Sequence, residues 1–426
     1  MKKYDSYKDS GIEWIGEIPN HWNISRYRYF YFSNMGVTLL KEDVKEDGIY
    51  PVYSATETDV LFGYVDEASV ILNEGDIVIP ARGNSIGHIK VVTSPSTSTQ
   101  TTIYSKKISQ NIETNFVKYF LQGLREHLFQ FDRTAIPQIT VNQVKNNPLV
   151  IPPPEEQIAI AHYLDRKTAE IDELIADKKR LLELYEEEKN AIINQAVTKG
   201  INPNVPMKDS GIEWLGEIPE HWEVKRLKMV VSKIGSGVTP SGGSTVYLTS
   251  GIPLLRSQNI HFGGLRLDDV AFISDEIDEG MSNSRIQDGD VLLNITGASI
   301  GRCYYVPHGF GKGNVNQHVC IIRPISEKID TIFLYYILRS EIGQTQIRLQ
   351  QTGANREGLN FEQLKNFGFP IPESIQEQQS IVRHMETECT RIDAKKAKTE
   401  KLIELLTEYR TALISEVVTG KIKVID

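Results

Sequence analysis

A chain of 426 residues, 40% apolar and 24% charged, is long enough for two or three domains with packed cores. The net charge of −9 argues against a basic surface spread over the whole molecule, though not against a local one. The apolar run from Ile332 is far too short to cross a bilayer, the N-terminal stretch lacks a signal-peptide core, and Cys303, Cys320 and Cys389 form no CxxC pair. The expectation is a cytoplasmic protein with no membrane segment, disulfide framework or zinc site.

The first distinctive stretch is "KDSGIEWIGEIPNHW" from Lys8 to Trp22, written again as "KDSGIEWLGEIPEHW" from Lys208 to Trp222. All four tryptophans lie in these two copies. Downstream, "GDIVIPARGNSIG" from Gly75 answers to "GDVLLNITGASIG" from Gly289, and "ETNFVKYFL" from Glu113 to "DTIFLYYIL" from Asp330. "TVNQVKNNPLVIP" from Thr140 pairs with "NFEQLKNFGFPIP" from Asn360, and the tract after Glu156 with that after Glu377. The offset grows from 200 to 221, so the chain is a duplicated unit whose second copy has gained 21 residues, fourteen of them between Trp222 and Gly289. Growth in steps between matching flanks is expected of insertions in surface loops on one scaffold.

Each copy has a mixed part, 1–152 and 205–372, in which short β-rich runs, Gly-rich turns and helical stretches alternate. Thr140 and Asn360, each followed by Gln at the third position, predict short capped helices. "IPPPEEQ" and "PIPESIQEQQ" then open long segments, 153–204 and 373–426, with no Gly or Pro from Glu155 to Thr198 or from Glu373 to Thr419. Leu164, Ile171, Tyr185 and Ile192 stand seven or fourteen apart, as do their partners Met385, Ile392, Leu406 and Leu413, with Leu181 and Leu402 added to the stripe; Lys178 and Thr399 interrupt it. A seven-residue apolar repeat predicts two long helices packed as an antiparallel coiled coil, with the mixed domains at opposite ends. The fold class is therefore α+β with a pseudo-twofold internal repeat. The helical segments hold five of the nine excess negative charges, leaving each mixed domain near neutral.

The sequence has no methyltransferase [ND]PP[YF] loop, Walker A, HExxH or GxSxG motif, and no His/Cys cluster at metal spacing. "GFGKG" from Gly309 lacks a βαβ context and reads as a turn, and His21 and His221 read as structural. No catalytic residue and no metal site is expected. Polar side chains suited to base edges gather after the two GD pairs: Arg82, Asn84, Ser85, His88 and Gln100 in the first copy. In the second they are Arg256, Gln258, Asn259, Asn294, Thr296, Ser299, Arg302, Asn316, Gln317 and His318. Arg suits guanine, and Asn or Gln suits adenine, in the major groove. Composition alone equally accommodates hairpins with solvated polar tips. What favours sequence reading is that the glycines are kept between copies while the intervening side chains change: Arg82 to Thr296, Asn84 to Ala298, His88 to Arg302.

With the twice-written opening motif, the GD…GxSIG tract, the PxPxxEQ-like helix entries and the alternation of domain and helix, the chain resembles the specificity (S) subunit of a Type I restriction–modification enzyme over nearly its whole length. The resemblance implies a non-catalytic subunit whose two target-recognition domains each read half of a bipartite, asymmetric site in double-stranded DNA. It further implies helices that set the spacing and dock two modification subunits for adenine methylation, and restriction subunits that translocate and cleave. S-adenosylmethionine, ATP and Mg are then expected on the partner subunits and none on this chain. A duplicated coiled-coil adaptor that binds only protein is the alternative, distinguished by having no salt-sensitive DNA affinity; a self-contained methyltransferase is opposed by the missing [ND]PP[YF] loop.

Overall fold

The computed structural model describes residues 2–56, 60–130, 137–351 and 358–425. The chain forms two compact units, Met1–Arg180 with Thr399–Asp426, and Leu181–Lys398. Each unit thus contains one mixed part and a portion of each long helical segment.

In the first unit an antiparallel four-stranded sheet runs in the order Tyr31–Met35, Thr102–Lys107, Ile77–Pro80, Lys90–Val91. A three-stranded sheet, Gly63–Val65, Tyr50–Tyr53, Thr97–Ser98, adds one parallel pairing. Helix Thr114–Gly123 buries Phe116, Val117, Phe120 and Leu121, an apolar face at helical spacing, in the same core as Ile77, Ile79 and Ile103 of the larger sheet. The second unit repeats this with Val231–Ser236, Val319–Pro324, Val291–Asn294 and Cys303–Tyr305 in one sheet. Ala271–Ile273, Ile252–Leu255 and Asn314–Val315 form the other, and helix Thr331–Arg339 matches Thr114–Gly123. The region of the fourteen extra residues is more than loop. It holds a hairpin, Ile260–His261 with Gly264–Leu265, and a helix, Asp275–Gly280, that have no counterpart among the described residues of the first copy.

Both predicted capping boxes form. Thr140 Oγ1 accepts from the Gln143 N–H at 3.2 Å and Gln143 Oε1 from the Thr140 N–H at 2.8 Å; Asn360 and Gln363 do the same at 2.8 and 3.0 Å. They start the helices Val141–Asn146 and Phe361–Lys365. A strand follows each, Pro148–Ile151 paired with Asn23–Arg26, and Gly368–Ile371 paired with Glu223–Arg226.

The long helices are Pro154–Lys199 and Ile375–Val418, 46 and 44 residues, each about 65–70 Å at 1.5 Å per residue. The second begins two residues later than the sequence predicts, because Ser374 receives the Glu377 N–H at 3.4 Å and acts as its cap. Within the second unit the two helices are antiparallel: three residues forward from Glu186 to Lys189 on one is three back from Lys396 to Asp393 on the other, with Lys189 Nζ 2.7 Å from Asp393. In the first unit Arg410 binds Asp172 at 2.8 Å. At an offset of 221, Asp172 matches Asp393 and Lys189 matches Arg410, so the same ion pair is made once per unit.

Leu164, Ile171, Met385, Ile392 and Leu413 are buried, and Leu181, Tyr185, Ile192 and Leu406 are half-buried. Leu402 is 39% exposed, which corrects its place in the stripe. The second row of the seam follows the first by four residues, through Thr168, Ile175 and Leu182 and through Cys389, Lys396 and Ile403. Leu402 precedes Ile403 by one residue, about 100° around the helix, and so lies on the flank of the seam. Thr399, far from interrupting the stripe, is buried in it.

The duplicated opening motif locks each helix start to its mixed domain. Trp22 is fully buried and donates Nε1–H to Glu156 Oε2 at 2.9 Å. Tyr4 OH donates to the same oxygen at 3.1 Å, and His21 Nε2 lies 2.6 Å from Oε1. In the second unit Trp222 Nε1–H reaches Glu377 at 3.0 Å, as does His221 Nε2. The neighbouring glutamines, Gln157 and Gln378, are fully buried. Each accepts the N–H of an acidic helix cap, Glu113 or Asp330, at 2.8 Å and donates to Pro152 or Pro372 at 2.9 Å. The Glu-Gln pair of the helix entry and the His-Trp pair of the motif are two halves of one joint. The end of the second long segment closes the first unit, with Tyr7 OH donating to Gly420 O at 3.2 Å.

Candidate nucleic-acid interface

In each unit the central strand of the larger sheet runs out into the glycine-framed tract. The aspartate of the GD pair fastens its base. Asp76 accepts from the N–H groups of Asn73 and Lys107 at 2.8 Å, and buried Asp290 takes both Nε and Nη2 of Arg323 at 2.7 and 2.8 Å. The tract then leaves its own sheet to pair elsewhere. Arg82 bridges to Gln138, with Gly83 N–H donating to Pro137 O; Thr296 bridges to Gly358, with Leu359 N–H donating to Ile295 O. Gly87 and Gly301 sit at φ +78° and +88°, with the Arg125 and Gln344 side chains where a Cβ would project. A side chain there meets both strain and collision, which is why the glycines are the constant part of the tract.

In the first unit Arg82 and Asn84 are exposed at the tip, held by Arg125 Nη2 donating to Asn84 O at 3.0 Å. Ser85 is buried and His88 half-buried. Gln100 is exposed and accepts from Thr38 Oγ1 at 3.0 Å.

In the second unit an open cleft brings together Gln258, Thr296, Ser299, Arg302 and His318. Thr296 Oγ1 and His318 Nδ1 are 2.6 Å apart, and His318 Nε2 lies 2.9 Å from the Gln317 amide nitrogen. Gln317 in turn receives Thr239 Oγ1. The Arg302 guanidinium lines the cleft with no hydrogen bond or ion pair among the described residues, while its backbone is held by Ser299 O and the Asn294 N–H. The remaining candidates face inward. Asn259 is fully buried, donating to Arg266 O and Asp269 Oδ1. Asn294 is fully buried, donating to Ser257 O and Ser299 Oγ, and Asn316 accepts the His318 N–H. These three shape the loops. Arg256 donates to Asp269 O at 2.8 Å and lies over Tyr247, while Gln258 reaches the Asp269 carboxylate, so both brace the turn that Asn259 anchors.

Sequence reasoning missed Thr38 and Thr239, the partners of Gln100 and Gln317. Their signal was present: Gly-Val-Thr is written at 36–38 and again at 237–239. It also missed the cleft of Arg125, Phe129, Gln138 and Gln143 beside the first tract. Among the described residues no group of His, Cys, Asp and Glu is arranged to hold a metal, and no helix is long and apolar enough to cross a membrane.

Two similar α+β units, each presenting a glycine-framed polar tract, define a duplicated recognition protein. The chain matches the family model described as the Type I restriction modification DNA specificity domain twice, over residues 19–184 and 219–405, and belongs to that family. It is 25% identical over 422 residues to the type I restriction enzyme MjaVIII specificity subunit of Methanocaldococcus jannaschii, covering 96% of this chain and 94% of that one. It is 29% identical over 259 residues to the EcoBI specificity subunit of Escherichia coli, covering 59% and 53%. The fold is shared with the HsdS subunit of Thermoanaerobacter tengcongensis at a TM-score of 0.54 and 16% identity, over 95% of this chain and 98% of that one. Family membership makes the chain the DNA sequence-specificity component of a type I restriction–modification system, non-catalytic itself and working with DNA and the system's other subunits.

Proposed function

We propose that the tract after Gly75 and the tract after Gly289 each read one half of a bipartite, non-palindromic DNA site. In this reading the long helices set the distance between the half-sites and dock two modification subunits, which bring S-adenosylmethionine to adenine, while restriction subunits bring ATP and Mg. The observation that carries it is the constant backbone with altered side chains. Arg82 and Asn84 are exposed at the tip of the first tract. At the corresponding places the second has Thr296 and Ala298, and Arg302 stands where the first has His88. Arg82, Asn84, His88 and Gln100 on one side, and Thr296, Ser299, Arg302, Gln317 and His318 on the other, are the side chains placed to meet base edges. Asn259, Asn294, Asn316 and Ser85 support them from below. The test is the methylated motif in a host expressing this chain with its partner subunits, which should consist of two unlike half-sites and a fixed spacer.

A further inference from the structure

Away from the reading tracts, the two units share a feature made only of cations and an amide. In the first, Arg26 Nη1 and Arg28 Nη1 both donate to Asn146 Oδ1, at 3.2 and 2.8 Å. In the second, Arg226 Nη1 and Lys228 Nζ both donate to Asn366 Oδ1 at 3.4 Å. The asparagine is aimed by its own helix: Asn146 Nδ2 donates to Asn142 O, and Asn366 Nδ2 to Glu362 O, which turns each Oδ1 outward. Arg26, Arg28, Arg226 and Lys228 are all exposed. Two guanidinium nitrogens that share one neutral oxygen lie within the sum of those two distances of each other, and like charges that close repel unless an anion joins them. Among the described residues no carboxylate pairs with Arg26 or Arg28, or with Lys145 and Lys106 nearby. Lys145 lies over Phe32, which faces Lys106 across the strand pair. The neighbouring Tyr29 phenol is lowered, first by the Arg28 hydrogen bond and then by the Arg28 charge, as a positive field requires.

Position ties this cluster to the reading tract. Helix Val141–Asn146 is capped by Thr140, two residues after Gln138, the residue that bridges Arg82. Asn146 therefore stands about 9 Å along the helix axis from the cap, which is under three base-pair steps of a duplex at about 3.4 Å each. We infer that Arg26 and Arg28, oriented by Asn146, and Arg226 and Lys228, oriented by Asn366, are backbone clamps that each bind a phosphate of the DNA flanking the bases read by the same unit. The inference rests on the DNA-reading role proposed above. The cation pair and its asparagine are what the two copies keep; the exposed aromatics beside it, Tyr29 and Phe32, become Met229 and Ser232, so the shared chemistry is anion binding. The second clamp is the weaker one. Glu362, whose carboxyl is lowered mainly by Lys365 and also by Lys228, partly neutralises it, whereas the first copy has Asn142 at that place.

The test uses the full chain assembled with its modification subunits and a duplex carrying the motif, with affinity measured across salt concentrations. Arg26→Gln with Arg28→Gln should reduce the slope of log K against log salt by about one, at ~0.9 for the phosphate no longer neutralised. It should weaken binding to all sequences alike and leave the methylated motif unchanged. Arg226→Gln with Lys228→Gln should reduce the slope less, and Arg26→Lys with Arg28→Lys should keep most of it. An unchanged slope in a complex that still binds DNA selectively overturns the clamp alone; a wild-type complex with no selective DNA binding overturns the reading role and the clamp together. Loss of subunit assembly in the absence of DNA would reassign the cluster to an acidic protein surface. Equal loss in the Gln and Lys variants would show that charge is not what matters.

Discussion

Replacing Glu156 by Ala should be among the most damaging single changes in the first unit. The carboxylate is buried and receives Trp22 Nε1–H, Tyr4 OH and the His21 ring nitrogen. Removing it strands the indole N–H and the tyrosine hydroxyl in a site that water does not reach, at about 1–3 kcal/mol for each buried donor. The His21 side chain is 48% exposed and re-solvates, adding little. The expected loss is therefore about 2–6 kcal/mol, a large part of the stability of one unit. The repeat supplies the control. Among the described residues the Glu377 carboxylate holds only the Trp222 and His221 pair, and it is 33% exposed, so Glu377→Ala should lose about 1–2 kcal/mol. Tryptophan emission followed through a urea titration reads both, because every tryptophan lies in the two motifs. Glu156→Gln, which keeps one acceptor oxygen, should fall between Ala and the parent. Equal losses at Glu156 and Glu377, or a loss under 1 kcal/mol at Glu156, would refute the joint as the anchor of the helix.

The seam makes a second comparison. Met385→Ala, at a fully buried position, should cost about 2–5 kcal/mol, and Leu402→Ala under about 1 kcal/mol, read as shifts of the urea midpoint. Burial pushes the Cys320 thiol up to about 12 and Cys303 higher still, against an ordinary value of 9.0. In the folded chain both therefore stay protonated where the unfolded chain ionises. Their contribution is fully present below about pH 9 and is lost as pH rises toward 12; the buried phenols Tyr27, Tyr31 and Tyr335, also raised by desolvation, act in the same direction at higher pH. The urea midpoint should fall from pH 8 to pH 10, and a thiol reagent should label Cys303 and Cys320 only after unfolding. Rapid labelling of the native chain would contradict their burial.

What was legible in the sequence was local or periodic. The capping boxes at Thr140 and Asn360, the proline-marked helix entries and the seven-residue spacing each depend on residues within a turn or two of one another. What was not legible depends on residues brought together over long separations. Glu156 and Trp22 are 134 positions apart, so His21 showed no carboxylate at any fixed spacing although one lies 2.6 Å away. Asn259, Asn294 and Asn316 carry the same amide as a base-reading residue, and only the fold separates a buried loop brace from an exposed contact. Leu402 and Ile403 both have a place near a seven-residue pattern; the seam chose Ile403 because its second row follows by four residues. The clamp asparagines, 120 and 140 positions from Arg26 and Arg226, had no local signature at all.

The most direct test of two tracts reading two half-sites is to sequence methylated positions in a host expressing the partner subunits with either the parent chain or Arg302→Ala. The Arg302 side chain lines the cleft of the second tract and has no hydrogen bond or ion pair among the described residues. The account predicts a bipartite, non-palindromic motif for the parent and, for Arg302→Ala, relaxation or loss at one half-site only, at about 1–3 kcal/mol if a base contact is removed, with the other half-site and the spacer unchanged. A palindromic or uninterrupted parent motif, or an Arg302→Ala motif altered in both halves, would contradict it.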